Sequence, residues 1–68
     1  MEHIFEATAQ VEGQIVRNDF TNMEAAARWV ESYKAGRVVH FVKGFDNRYR
    51  SVSMQVFEND VWRGVSIH

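Results

Sequence analysis

Apolar and polar residues alternate along the first stretch of the chain. From His3 to Val11 the odd positions Phe5, Ala7, Ala9 and Val11 are apolar, while Glu6, Thr8, Gln10 and Glu12 are polar. A period of two is that of a strand with one buried face. Glu12-Gly13 suits a two-residue turn, because glycine tolerates positive φ. Closing the hairpin there pairs Val11 with Gln14, Ala9 with Val16, Ala7 with Asn18 and Phe5 with Phe20. Phe5, Ala9, Val11, Val16 and Phe20 then share one face, so pattern and turn agree on the register.

The period then changes to that of a helix. Thr21-Asn22-Met23-Glu24 reads as a capping box, with Thr21 as N-cap and Glu24 reaching back to its N–H. Met23, Ala26, Ala27, Val30 and Tyr33 or Lys34 follow the i, i+3, i+4, i+7 spacing, and Trp29 widens the apolar stripe. Glu24 and Arg28 form a favourable i, i+4 pair on the other side. The helix is expected to run to about Ala35 and stop at Gly36 as its C′ residue.

Val38-Val39-His40-Phe41-Val42 is an apolar, β-branched run expected as a central strand. A loop from Gly44 to Arg48 leads to a strand from Tyr49 to Phe57, and Asn59-Asp60 turns it into a last strand from Val61 to Ile67. Closing this hairpin pairs Phe57 with Trp62, Val56 with Arg63, Met54 with Val65 and Val52 with Ile67. Val52, Met54, Val56, Val65 and Ile67 are expected on the core face. The predicted fold is α+β: one domain over residues 1–68, an antiparallel sheet of four or five strands with one α-helix packed on one face, in β-β-α-β-β-β order.

Composition narrows the function classes. The chain has 68 residues, no cysteine and no proline, so it holds no disulfide and no thiolate metal site. His3, His40 and His68 are scattered, and no metal or other cofactor is expected. There is no Gly-rich phosphate loop, nucleophile elbow or HExxH. So short a chain can hardly enclose a substrate cleft, and the reading is not an enzyme. The N-terminus lacks the basic and apolar regions of a signal peptide, and no run of 18 apolar residues suggests a membrane span. A cytoplasmic location is expected. Net charge is −1, but residues 1–34 carry a net −3 and residues 35–68 a net +2. That polarity suits electrostatic steering of association, and equally the ordinary charge of a solvated surface.

One helix covers only one face of such a sheet, and the other must be solvated or meet something. The candidate partner-binding residues are Arg37, Lys43, Arg48, Tyr49, Arg50, Phe57, Trp62 and Arg63. Tyr49, Phe57 and Trp62 are expected on the face away from the helix, with the basic residues nearby. Aromatic plus arginine is the composition of a protein hot spot, and also of a single-strand stacking platform. Phe57 and Trp62 also suit a plain cross-strand pair closing the hairpin. Lys43-Gly44-Phe45 opens like an RNA-recognition strand signature, but Asp46 and Asn47 break it, and Gly44 reads as a turn residue.

The hairpin ending in Thr21-Asn22-Met23-Glu24-Ala25-Ala26, the segment Gly36-Arg37-Val38-Val39 and the terminal hairpin with Trp62 together resemble the layout of small phage-encoded host-takeover proteins, anti-CRISPR inhibitors in particular. The resemblance is one of shape and patterning over nearly the whole chain, and no binding residue is carried over. It implies a non-enzymatic inhibitor acting in the host cytoplasm on a host protein or nucleoprotein complex. The alternatives are a small nucleic-acid-binding regulator using the open sheet face, favoured less by the net charge, and a structural homodimer.

Overall fold

The computed structural model describes residues 2–66. Its elements run β1 (His3–Val11), β2 (Gln14–Phe20), α1 (Met23–Glu31), β3 (Gly36–Lys43), β4 (Tyr49–Glu58) and β5 (Val61–Val65). The five strands form one antiparallel sheet in the order β2-β1-β3-β4-β5. The predicted α+β architecture and element order are those observed. Among the described residues no helix is long and apolar enough to cross a membrane.

Both hairpins close in the expected register. Phe5, Ala7, Ala9 and Val11 face Phe20, Asn18, Val16 and Gln14 across the first. Its turn has positive φ at both Glu12 (50°) and Gly13 (81°), the twist that matches paired strands. Asn59 (54°) and Asp60 (63°) repeat that conformation in the second hairpin, where Phe57 pairs with Trp62, Val56 with Arg63 and Met54 with Val65. The expected pair of Val52 with Ile67 lies outside the described residues.

The helix differs from expectation at both ends. Its N-cap is Asn22, whose Oδ1 accepts from the Ala25 N–H at 2.8 Å. This moves the cap one residue on from Thr21, and Glu24 instead pairs with Arg28 one turn along. The helix ends at Glu31, not Ala35. The N–H groups of Tyr33 and Lys34 bond Val30 and Glu31 in a tightened last turn, and Lys34 takes φ 72° to leave it. Gly36 is therefore no helix cap. It sits in β3, where a Cβ would lie 2.3 Å from the Thr8 carbonyl oxygen and 2.9 Å from Val30 Cγ1. Glycine there lets β3 approach both β1 and the helix.

The helix packs over β1, β2 and β3. Ala26 and Val30 are fully buried against Ala7, Val38 and Phe57, and Phe5, Phe20, Met23, Trp29 and Trp62 close the margins. Alanines at 7, 9 and 26 leave room for the helix to sit close to the sheet.

Candidate functional site

The register of β3 decides which residues the helix covers. Gly36 stands opposite Ala9 of β1 on one side and Phe57 of β4 on the other. Directly paired residues share a face, so Phe57 and its partner Trp62 lie on the helix side. Phe57 is 7% exposed, its ring is 5.0 Å from that of Trp62, and Trp62 Nε1 donates to Glu31 Oε2 at 2.7 Å. This corrects the expectation that both aromatics face away from the helix. It corrects its counterpart too, because Met54, Val56 and Val65 leave the core. Val39, Met54 and Val65 form one row across β3, β4 and β5, and Arg37, Val56 and Arg63 form the next, both on the uncovered side.

A bulge reshapes the other half of β4. His40 pairs with Ser53 but Phe41 with Ser51, which leaves Val52 as an extra residue, 53% exposed. Beyond it the alternation is reset. Tyr49 pairs with Lys43 on the uncovered face, although its odd-numbered neighbour Phe57 lies on the other. Arg50, paired with Val42, falls on the helix side and is held by Asp46 at 3.2 Å.

The uncovered face is therefore apolar in the middle and charged around the edge. Ile4, Val39, Phe41, Met54, Val56 and Val65 lie on it half-buried, and among the described residues no second layer covers them. Arg37 donates from Nε to Thr8 Oγ1 at 3.3 Å, and Arg63 pairs with Glu58 at 3.3 Å. At the far end Lys43 Nζ lies 3.9 Å from Glu2 and 5.8 Å from the centre of the Tyr49 ring. The Tyr49 hydroxyl donates to Glu2 Oε2 at 2.9 Å. That hydrogen bond, with lesser contributions from burial and the Glu2 charge, raises the phenol above its ordinary pKa.

Of the eight candidate residues, Arg37, Lys43, Tyr49 and Arg63 come together on this face. Phe57 and Trp62 belong to the core and its margin. Arg48 lies in the exposed loop after β3, where its N–H bonds Asp46 Oδ1 at 3.2 Å. Sequence reasoning missed the aliphatic centre, because the same pattern in β4 fits a core face equally well. It also missed Phe45, which stands wholly exposed in the Gly44–Arg48 loop. An aromatic inside a turn-forming segment was its only signal.

Two histidines separated by 37 positions meet on the helix side. His3 Nδ1 lies 2.8 Å from His40 Nε2, and the His40 ring stacks on Phe5 at 4.3 Å. Burial, with His3 close by, lowers the His40 pKa. Antiparallel pairing of His3 with Val42 and of Phe5 with His40 places the two rings diagonally across neighbouring strands.

Fold and surface together define an α+β domain with one helix-covered face and one bare face. Compared with known proteins, the chain matches no family model, no curated sequence and no solved structure.

Proposed function

We propose that this is a small non-enzymatic binding protein, an inhibitor of the anti-CRISPR-like kind, that docks on a host protein or nucleoprotein complex through its bare sheet face. The observation that carries this reading is the half-buried row of Val39, Met54 and Val65 with Phe41 and Val56 beside it, rimmed by Arg37, Arg63, Lys43 and Tyr49. Contiguous apolar surface with a polar rim is the anatomy of a protein interface. Around β3–β5 the rim carries Arg37, Lys43 and Arg63, of which Lys43 is paired with Glu2 and Arg63 with Glu58, so the matching surface is apolar at its centre and polar, with charges of both signs, at its margin. A nucleic acid fits less well. Stacking platforms need several aromatic faces, and with Phe57 and Trp62 turned to the helix, Phe41 and Tyr49 are the strand aromatics left on this face, beside a centre of Val39, Met54, Val56 and Val65. The cytoplasm of a host cell is the setting this reading requires.

The test is recovery of a discrete partner from bacterial lysate by the wild-type chain, by Met54→Glu and Arg63→Glu on the bare face, and by Phe45→Ala in the loop as a control. Met54→Glu and Arg63→Glu are expected to lose the partner while keeping the native circular dichroism. Equal recovery by both variants would remove the bare face from the interaction. Light scattering separates the homodimer: a dimer that becomes monomeric in Met54→Glu would assign this face to self-association instead.

A further inference from the structure

We propose that the chain forms a symmetric homodimer through the outer edge of β2, pairing antiparallel with β2 of a second copy so that Arg17 faces the partner's Asp19. β2 ends the sheet, and among the described residues β1 is its only strand neighbour. The two-residue turn makes Val11 and Gln14 a hydrogen-bonded pair, and from there bonded pairs alternate along an unbroken register. Gln14, Val16, Asn18 and Phe20 therefore direct their backbone groups to β1, while Ile15, Arg17 and Asp19 point theirs outward. Such an edge is ordinarily blunted by proline, a bulge or charge of one sign. β2 has no proline and no bulge, and its two charges are opposite in sign.

A second β2 can bond those outward groups only where odd-numbered residues face odd-numbered ones, which leaves few registers. Centring on Arg17 or on Asp19 sets that residue against its own copy, and like charges directly opposite are destabilising. Centring on Val16 faces Arg17 with Ile15 and Asp19 with Gly13, both neutral. Centring on Asn18 pairs Arg17 with Asp19 twice on the bare face and Val16 with Phe20 twice on the helix face. This register also answers a charge imbalance within the chain. Glu6 stands directly opposite Asp19, and one guanidinium, Arg17 at 3.8 Å from Glu6, serves both carboxylates. The partner's Arg17 supplies the second cation. On the helix side the Phe20 ring continues into Trp29 at 6.1 Å and Tyr33 beyond it at 4.9 Å, so apolar surface accompanies the edge. The opposite edge, β5, is five residues long and its one charge, Arg63, finds no opposite sign on its own copy. The twofold axis stands normal to the sheet, so both helices lie on one side and both bare faces on the other.

Sedimentation of the full chain tests the pairing. The wild type is expected at twice the chain mass, and Arg17→Glu and Asp19→Arg each at the monomer mass, because each sets like charges face to face. Mixed in equal amounts, the two variants are expected to form a heterodimer, since one edge then carries two acids and the other two bases. A monomeric wild type, a dimer that survives both reversals, or a mixture that stays monomeric overturns the pairing. Loss of the dimer in Met54→Glu overturns it as well, so this contact and the docking of a partner on the bare face stand or fall separately. If a reversal unfolds the chain, oxidation of Asn18→Cys decides. Non-hydrogen-bonded partners at the twofold axis have Cα atoms about 4.5 Å apart, within the span of about 4.4–6.8 Å that a disulfide bridges. The chain has no other cysteine, so a covalent dimer is expected from Asn18→Cys and none from Gln14→Cys at the end of the same strand. Equal cross-linking by the two, or none by Asn18→Cys, refutes the pairing.

Discussion

Gly36 shows how a single missing side chain sets the spacing of three elements. A methyl group there meets the Thr8 carbonyl and Val30, so neither β1 nor the helix can stay where it is. Gly64 in β5 has nothing within 4 Å of the same imagined atom. Gly36→Ala is therefore expected to cost about 1–3 kcal/mol, the range for overpacking a core. Gly64→Ala should change stability by no more than about 0.5 kcal/mol. Denaturant midpoints of the two variants check the contrast, and equal midpoints would refute the close approach. The sequence pattern marks Gly36 as special but misattributes the reason, since a glycine after an amphipathic helix reads as its cap. Only the pairing of β3 with Ala9 reveals the crowding.

At the scale of elements, the helix illustrates competition between two adjacent caps. Asn22 and Thr21 are both good N-cap residues, and Asn22 takes the position. Asn22→Ala should cost about 1 kcal/mol, and Thr21→Ala markedly less. Thermal unfolding of both variants decides it, and the reverse order would restore the capping box. The hairpins were legible because their turns and alternation are local and agree with each other. The orientation of the second hairpin was not. Along β4 one phase carries Met54 and Val56 and the other carries Phe57, so either face can be read as buried. The choice is made by Phe57 meeting Gly36 across 21 positions, and by a bulge at Val52 that leaves no mark in the alternation. The candidate site inherited that ambiguity. Four of its members, Arg37, Lys43, Tyr49 and Arg63, reach the bare face, while the two aromatics at its heart belong to the other side.

For the whole molecule, the contact between Glu2 and Tyr49 spans 47 positions and ties the start of β1 to the start of β4 over the end of β3. Because the hydrogen bond holds the phenol protonated, its stabilising contribution is complete below the ordinary tyrosine range near pH 10. It is lost as pH rises through the higher value of the folded state. Absorbance titration should show Tyr49 ionising later than an unperturbed phenol, and Glu2→Gln should bring it down. Coincident curves for wild type and Glu2→Gln would dismiss the tether. The polarity of the sheet is also a property of the whole. Its first hairpin hides apolar residues beneath the helix, and its second offers most of them to the outside, so both sides of a 68-residue chain carry apolar surface.

The strand order β2-β1-β3-β4-β5 has a consequence for how the chain reaches this state. Every neighbouring pair but one is joined by a short connection, and two of those are two-residue turns that close on a timescale of about 1–10 μs. The exception is the junction of β1 with β3, where Ala9 meets Gly36 after the chain has passed through β2 and the helix. The largest single loop-closure cost of the sheet falls on that one junction. Forming it joins two locally made halves, creates the floor on which the helix rests, and brings His3 to His40 in the same event.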